Sequence, residues 1–296
     1  MELEWKKIEV QDRALFLPYL YSLASRSAET TFANLYLWSR QYPTGYAVVG
    51  DFLVMKSLEE EVFAFPAGTG DLRKIVEALD AYQRERGQAL AFQCVTREQF
   101  AQLEALFPGR FQIEYDRDYA DYVYDAEKLA NLSGKKYHGK KNHVNKFQKQ
   151  YPDWSYEPMT ADNLEDCFQM ALIWRRENGC EEDVEKNAEM CVALNALRLF
   201  TELSMEGGVL RVGGEVVAFT LGEQACEDTF VVHIEKARAD IDGAYTMINQ
   251  QFVQHALLGK YKYVNREDDV GAEGLRKAKL SYHPAFMVDK GYVTEK

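Results

Sequence analysis

The feature that most constrains the fold is a succession of helix-type and strand-type hydrophobic patterns. This succession occurs in two stretches of the chain. Between residues 160 and 288 the patterns predict two helices, a hairpin, a strand, a helix, a strand, a helix and a closing strand. The hairpin is the clearest element, because Gly213 and Gly214 separate two β-type runs. Residues 12–124 have a similar order of elements. The sequence therefore predicts a mixed α/β fold built from two units of the same kind.

The length of 296 residues suits two domains better than one. We expect an N-terminal domain at 1–127, a basic linker helix at 128–152 and a C-terminal domain at 153–296. With 47% hydrophobic and 28% charged residues, the composition is that of a globular protein and excludes a disordered chain. The apolar runs are too short for a membrane-spanning helix, and the N-terminus has no apolar signal region. We therefore expect a cytoplasmic protein with no integral membrane segment.

The predicted linker is strongly basic in a chain whose net charge is -12. No carboxylate occurs between Glu127 and Asp153, and several lysines are concentrated there. Such a concentration produces a local positive potential, which suits a phosphate-bearing partner. A solvated basic helix between two domains would explain the same composition, so both interpretations stay open.

Two polar motifs of the C-terminal half lie at predicted strand ends, the first in the last residues of a strand and the second directly after one. In His233-Ile234-Glu235-Lys236, alternation places His233 and Glu235 on one face, where either could accept a proton from an attacking amine. The alternative is a buried ion pair of Glu235 with Arg266 or Arg276. In the second motif, Asn265-Arg266-Glu267-Asp268-Asp269, Arg266 could clamp a phosphate or carboxylate.

Neither a metal nor a thiol chemistry is favoured by the sequence. Glu267, Asp268 and Asp269 are adjacent on a predicted turn, where neighbouring side chains diverge, so we predict no metal site. Asp268 or Asp269 could instead cap the following helix. The five cysteines are odd in number and include no C-x-x-C pair, which argues against disulfides and structural zinc.

Four motifs in this order resemble the bacterial family classed with the C-terminal domain of phosphatidylglycerol lysyltransferases: Gly134–His143, His233–Ala237, Asn265–Gly271 and Gly274–Tyr282. The segment Thr31–Trp38 also fits, so the resemblance covers nearly the whole chain. It implies two tandem GNAT-like N-acyltransferase units. Relatives in the wider group move an amino acid from aminoacyl-tRNA onto a lipid head group or a peptidoglycan bridge.

The resemblance implies a transferase that moves an aminoacyl group from an activated donor, such as aminoacyl-tRNA, to an amine or hydroxyl of a small-molecule or peptide acceptor. The implied catalytic residues are His233, Glu235 and Tyr282, with Tyr282 as general acid to the leaving group. The residues implied in binding the donor and substrate are Lys135, Lys136, His138, Lys140, Lys141, Asn142, Lys236, Asn265, Arg266, Glu267, Arg276 and Lys277.

We expect no cofactor and, in particular, weak or no binding of acetyl-CoA. GNAT enzymes that use it usually carry Arg/Gln-x-x-Gly-x-Gly/Ala, a loop that cradles the pyrophosphate. Here Asp240 stands in place of the Arg or Gln, and Asp242 lies close by, so repulsion should cost on the order of 1 kcal/mol. Two alternatives stay open: a CoA-dependent N-acyltransferase, and a non-catalytic GNAT-like module that binds an anionic ligand or RNA.

Overall fold

The computed structural model describes residues 3–180 and 182–296. Met1 and Glu2, which the predicted first domain includes, lie outside the described residues. The chain divides into two compact units, the first made of Met1–Asp121, Asp268–Arg276 and Met287–Lys296, and the second of Tyr122–Glu267 and Lys277–Phe286. The basic segment thus lies in the second unit, whereas two segments of the predicted C-terminal domain lie in the first.

The helices agree with most of the predicted ones. Their bounds are α1 Arg13–Ser22, α2 Phe32–Trp38, α3 Leu72–Arg84, α4 Arg97–Leu106, α5 Ala126–Asn131, α6 His138–Gln150, α7 Leu164–Glu177, α8 Val184–Arg198, α9 Ala244–Phe252 and α10 Glu273–Leu280. A π-helical turn, Val253–Leu257, continues α9. Among the described helices, none combines the length and the apolar character that crossing a bilayer requires.

The strands fall into two sheets. Their bounds are β1 Lys6–Lys7, β2 Thr44–Val49, β3 Phe52–Ser57, β4 Phe63–Ala64, β5 Ala67–Gly68, β6 Ala91–Thr96, β7 Phe111–Tyr115, β8 Asp121–Asp125, β9 Ser155–Pro158, β10 Glu206–Val212, β11 Glu215–Cys226, β12 Thr229–Ala237, β13 Tyr263–Asn265, β14 Phe286–Val288 and β15 Lys290–Glu295.

The sheet of the first unit has the order β1-β2-β3-β4-β6-β15-β7, with β5 paired to β3. β4 and β6 are parallel, whereas β15 is antiparallel to both β6 and β7. Its core includes Phe63, Leu79 and Phe92, all without solvent exposure. The sequence prediction ended at a strand over 285–288 and missed β15, which lies in the interior of this sheet.

The sheet of the second unit has the order β14-β8-β13-β12-β11-β10-β9. The predicted hairpin of β10 and β11 is confirmed: Val212 pairs with Glu215, and Gly213 and Gly214 have φ of +61° and +83°, as a two-residue turn requires. β12 is parallel to β13 and antiparallel to β11. The predicted fold class, α/β with a mixed sheet in each of two units, is therefore confirmed.

Strand β12 has two irregularities near its C-terminal end. The pairing of β12 with β13 ends where Val231 meets Asn265, but β12 pairs with β11 as far as Ala237. In addition, the register with β11 shifts between Val232 and Ile234, which leaves His233 as an extra residue in a β-bulge. Bulges re-aim side chains and are common beside active sites, and ligands of α/β sheets bind at the carboxyl ends of parallel strands.

Candidate active site

Glu235 of β12 and Arg266, the residue after β13, form a mostly buried ion pair in the second unit. Arg266 Nη2 donates to Glu235 Oε1 over 2.7 Å, and the two side chains are 13% and 10% exposed. Asn249 of α9 donates from Nδ2 to the other carboxylate oxygen over 3.3 Å. On the neighbouring strand, Thr220 is the cross-strand partner of Glu235. We call these four residues, Thr220, Glu235, Asn249 and Arg266, the Glu235 cluster.

Three atoms of the Glu235 cluster are buried without a hydrogen-bond partner. They are Thr220 Oγ1, Asn249 Oδ1 and Arg266 Nη1. Thr220 and Asn249 are 0% and 1% exposed, so the two oxygens are deep in the unit. The great majority of buried polar atoms in folded proteins are paired. The cluster therefore has hydrogen-bonding capacity that the described protein groups do not use.

Tyr282, which follows α10, packs against this cluster. Its phenol lies close to Thr246 and Arg266, and the Arg266 guanidinium lies 4.8 Å from the ring centroid. Burial raises the pKa of Tyr282, although the positive charge of Arg266 opposes the shift. The phenol therefore keeps its proton at neutral pH, which is the state that a general acid needs.

Lys140 of α6 completes the arrangement. Its Nζ lies 3.8 Å from the centroid of the Tyr282 ring. Burial and repulsion from Arg266 lower the pKa of Lys140 to about 8, although Glu235 acts in the opposite direction. A second contact joins the same segments, because His283 Nε2 hydrogen-bonds to the Lys136 carbonyl over 3.1 Å. The structure thus brings together one residue from each of the four motifs.

His233 lies between two carboxylates, which argues against its predicted role as a proton acceptor. Its Nδ1 is 2.7 Å from Glu267 Oε1, and its Nε2 is 3.2 Å from Glu223 Oε1. Burial disfavours the charged ring, but the hydrogen bonds to Glu223 and Glu267 outweigh it and raise the pKa of His233 to about 10. At neutral pH the ring is an imidazolium with both nitrogens engaged. It holds two carboxylates in place and has no lone pair with which to take a proton.

The turn after β13 is fixed by Asn265 and Glu267. Asn265 is fully buried, and its Oδ1 accepts the N–H of Glu267 over 2.7 Å. Glu267 has a φ of +58°, a left-handed conformation that costs energy in a residue other than glycine. Together with the His233 ion pair, this turn orients Arg266 towards Glu235. Asn265 and Glu267 were predicted to bind substrate. In the structure their contacts position Arg266.

Lys236, predicted to bind the donor, is buried away from solvent. Its Nζ is 2.5 Å from Glu189 Oε1 and 4.0 Å from the centroid of the Trp174 ring. These partners belong to α8 and α7. Alternation along β12 directs Lys236 to the face opposite Glu235. The Glu189 carboxylate and the Trp174 ring compensate the buried ammonium of Lys236, so the structure does not support a role of Lys236 in binding the donor.

Arg276 and Lys277, also predicted in binding, are separated by the division into units. Arg276 belongs to the first unit and is held by Asp118 and Asp269, each over 2.6 Å. Lys277 belongs to the second unit and is exposed. Asp269 also accepts the N–H of Gly271 over 3.0 Å, just before α10 begins. Arg276 is therefore occupied as an ion-pair partner.

The carboxylates at 267–269 diverge, as predicted. Glu267 pairs with His233 and Asp269 with Arg276, whereas Asp268 lies 3.4 Å from Lys290 Nζ. In the first unit Asp268 lies close enough to Glu29 and Asp121 for the three to share a metal ion.

The Lys290 ammonium, however, occupies the neighbourhood of these three carboxylates. It lies 2.5 Å from Glu29 and 2.7 Å from Asp121, and its side chain is 2% exposed. A buried lysine with its counter-charges accounts for this acidic group.

The basic segment is a surface helix of the second unit with one apolar face. Val144 and Phe147 of α6 are buried, as is Tyr137 before it. The predicted donor-binding residues at its start are exposed, apart from the half-buried Lys140: Lys135, Lys136, His138, Lys141 and Asn142. Their side chains are thus free of the core and accessible to an anionic partner.

The two carboxylates predicted to repel a pyrophosphate are both engaged in ion pairs. Asp240 accepts two hydrogen bonds from Arg238, over 3.0 and 2.7 Å. Asp242 lies 2.5 Å from Lys146 Nζ. Hydrogen bonds from these partners lower the pKa of both carboxyl groups, so both remain charged. The local pairing reduces the repulsion that the sequence alone predicted.

Known proteins similar to this chain extend over its full length. A conserved protein of unknown function from Bacteroides thetaiotaomicron is 38% identical, with 100% of each chain covered and a TM-score of 0.94. The C-terminal domain of a putative lysylphosphatidylglycerol synthetase from Agrobacterium fabrum is 14% identical, with 97% and 93% covered and a TM-score of 0.70. At that identity the likeness concerns the fold alone.

Two sequence matches complete the comparison. An uncharacterised protein of Mycoplasmoides gallisepticum is 25% identical over 174 residues, which are 57% of this chain and only 54% of that protein. The sequence model of the family described as "Phosphatidylglycerol lysyltransferase, C-terminal" matches residues 21–293. With nearly the whole length matched, the chain belongs to this family, and its fold is similar to that of the C-terminal domain of the Agrobacterium fabrum protein.

Proposed function

We propose that the second unit transfers an aminoacyl group from aminoacyl-tRNA to an amine or hydroxyl acceptor. The observation that carries the proposal is the meeting of Lys140, Glu235, Arg266 and Tyr282, each from a different motif. Two cations, one carboxylate and one protonated phenol in a largely buried place are the groups that acyl transfer requires. Family membership supports the reaction class, since the family is described by a lysyltransferase.

In the proposed reaction the acceptor's nitrogen or oxygen attacks the carbonyl carbon of the aminoacyl ester. The new bond to carbon forms, and the bond from that carbon to the ribose oxygen breaks. Glu235 takes the proton that the acceptor loses, and Tyr282 gives a proton to the departing oxygen. Return of a proton from Glu235 to the Tyr282 phenolate restores the starting state, so the protons balance over one turnover. Because His233 is already protonated, Glu235 is the better acceptor of the proton.

Arg266 and Lys140 stabilise the negative charge that develops on the carbonyl oxygen. In a site removed from water such a charge is stabilised more strongly than at the surface. The nucleophile belongs to the acceptor, so the enzyme needs none of its own. Its contributions are orientation, two positive charges and two proton transfers.

The exposed lysines at the start of α6 suit the phosphates of a tRNA. Lys135, Lys136 and Lys141 are exposed there, and they adjoin Lys140, which reaches the Tyr282 ring. We propose that this helix end holds the tRNA acceptor end and that acetyl-CoA is not the donor. Micromolar binding of acetyl-CoA in calorimetry would contradict the second statement and favour a CoA-dependent N-acyltransferase.

Filter binding of charged and uncharged tRNA across a salt series tests the donor. The double variant Lys140→Glu/Lys141→Glu should lose binding and flatten the dependence on salt, because fewer phosphate contacts release fewer counterions. Lys6→Glu/Lys7→Glu is the matched control, since both lysines are exposed on β1 and the change of charge is equal. Equal binding by the two double variants would refute α6 as the tRNA site.

Transfer itself is tested with tRNA that carries radiolabelled amino acids and a panel of amine and hydroxyl acceptors. Tyr282→Phe removes only the proton donor, and we expect transfer to slow by about 100-fold or more. Binding of charged tRNA should remain, because the lysines are unchanged. If Tyr282→Phe transfers the label as fast as the wild-type protein, the phenol is not the general acid.

A further inference from the structure

We propose that the Glu235 cluster is the subsite for the α-amino acyl head of the donor, with Asn249 and Thr220 as residues that recognise it. This inference rests on the proposed function, because an aminoacyl donor is what brings such a group to the site. It adds two residues that carry no motif and names the chemistry they select. A ligand with both a carbonyl oxygen and a neighbouring amino group fits the atoms present.

The distribution of unpaired polar atoms is the first argument. Six buried side-chain nitrogen or oxygen atoms in the described residues have no partner, and three of them belong to the Glu235 cluster. Burying a polar atom without a partner is unfavourable, so such atoms are rare in folded proteins. Their concentration around one carboxylate indicates a binding site in which a polar ligand supplies the missing hydrogen-bond partners.

The orientation of Asn249 is fixed by Glu235. Its Nδ2 faces the carboxylate over 3.3 Å, and the reverse orientation would place two oxygen atoms against each other. Asn249 Oδ1 is therefore the atom that remains available, and it only accepts hydrogen bonds. A ligand at this position has to supply an N–H or O–H group.

Asn249 requires a hydrogen-bond donor from the ligand, whereas Arg266 requires an acceptor. Its Nη2 is committed to Glu235, whereas Nη1 is buried and has no partner. A guanidinium nitrogen only donates, so the ligand has to supply an oxygen here. Thr220 Oγ1 can donate or accept, and its cross-strand position beside Glu235 allows it to serve either part of the ligand.

An α-amino acyl group meets these requirements on two adjacent carbons. Its carbonyl oxygen accepts from Arg266 Nη1, and its ammonium donates to Asn249 Oδ1 and to the Glu235 carboxylate. A phosphate or a simple carboxylate supplies acceptors alone and would leave Asn249 Oδ1 unpaired. An unsubstituted acyl group, such as acetyl, would leave the same atom unpaired, so the cluster selects against it.

Binding of small amides, whose uncharged carbonyl group stands in for that of the aminoacyl ester, tests the subsite without tRNA or turnover. The probes are L-alaninamide, which has both groups, and propionamide, which lacks the amino group; dissociation constants are measured by ligand-observed NMR titration. The wild-type protein should prefer L-alaninamide by about tenfold or more. Thr220→Val and Asn249→Leu should each weaken its binding and reduce that preference.

Thr229→Val is the control, because Thr229 is equally buried in the same sheet but its hydroxyl donates to Asp228 over 2.7 Å. It should leave both dissociation constants unchanged. Equal affinity for the two probes, unaltered binding by both cluster variants, or no binding of L-alaninamide by folded wild-type protein would overturn the subsite.

The outcome for the subsite is independent of the outcome for transfer. Selective binding of L-alaninamide without transfer from aminoacyl-tRNA would keep the subsite and reject the proposed donor. Transfer that proceeds equally well in Thr220→Val and Asn249→Leu, with unchanged probe binding, would keep the reaction and reject the subsite.

Discussion

Replacing Thr220 by valine should stabilise the ligand-free protein. The hydroxyl of Thr220 is buried, with 0% of the residue exposed, and Oγ1 has no partner. Threonine and valine are both β-branched and have nearly the same shape, and both suit a strand. The substitution therefore removes an unfavourable burial while changing little else in β11.

The size of the effect follows from the cost of an unsatisfied group. A buried hydroxyl without a hydrogen bond costs roughly 1–3 kcal/mol in proteins. Some of this cost is recovered by relaxation around the site, so we expect the free energy of unfolding to rise by about 1 kcal/mol. Thr229→Val should have the opposite sign and lower it by about 1–2 kcal/mol, because a hydrogen bond to the Asp228 carboxylate is lost.

Urea unfolding, followed by circular dichroism and tryptophan fluorescence, measures both variants. Trp154 and Trp174 report on the second unit, to which Thr220 and Thr229 also belong. If the units unfold in separate transitions, the shift should be confined to the transition that these tryptophans report. The slope with denaturant should stay the same, so that a change of midpoint reflects stability alone.

A decrease in stability for Thr220→Val, comparable to that for Thr229→Val, would refute the reasoning. It would mean that the Thr220 hydroxyl has a partner in the folded protein and is not held in reserve for a ligand. Stabilisation together with loss of probe binding would be the signature of a functional site, where stability is given up for recognition.

Two further predictions concern pH. The folded pKa of His233 is about 10, above its ordinary 6.5, so its contribution to stability is complete below about pH 6.5 and is lost as the pH rises through about 10. The difference in unfolding free energy between wild type and His233→Gln should therefore shrink from the lower pH to the higher. Because the pKa of Lys140 is lowered to about 8, its share of tRNA binding should fall as the pH rises through 8. Lys140→Arg should keep that share, which filter binding on either side of pH 8 measures.

The elements of the second unit could largely be predicted from the sequence, because each has a strong local signal. The Gly213-Gly214 turn defines its hairpin, and the apolar face of α6 is visible in Val144 and Phe147. The four motifs could likewise be located, because their residues and their order resemble those of a known family. Local signals of this kind survive in any tertiary context, which is why these predictions were possible.

The remainder depends on contacts that are distant in the sequence. β15 was missed because Lys290 and Gly291 interrupt its alternation, and the counter-charges that permit a buried lysine lie at Glu29 and Asp121. His233 was predicted to accept a proton because nothing local reveals Glu223 on β11. Asp240 and Asp242 were predicted to repel a phosphate because nothing local in the sequence reveals their ion pairs with Arg238 and Lys146.

Thr220 and Asn249 were missed for a different reason, because a single polar residue in an apolar element has no spacing to identify it. The one available signal was their context: Thr220 lies in the run Val216–Leu221, and Asn249 lies in a helix whose described residues are all buried except Tyr245. Polar residues in such places are rarely buried without a partner. Isolated polar residues inside apolar runs are therefore worth treating as candidates beside the conspicuous motifs.

The two units show what separates a structural charge cluster from a candidate site. Lys290 of the first unit is surrounded by the carboxylates of Glu29, Asp121 and Asp268, and no atom of these four residues is among the unpaired buried atoms. The Glu235 cluster of the second unit is similarly buried, yet three of its atoms have no partner. Burial and charge are common to both and do not discriminate between them. The unused hydrogen-bonding capacity does, because a cluster that serves only the fold gains nothing by leaving buried donors and acceptors unpaired.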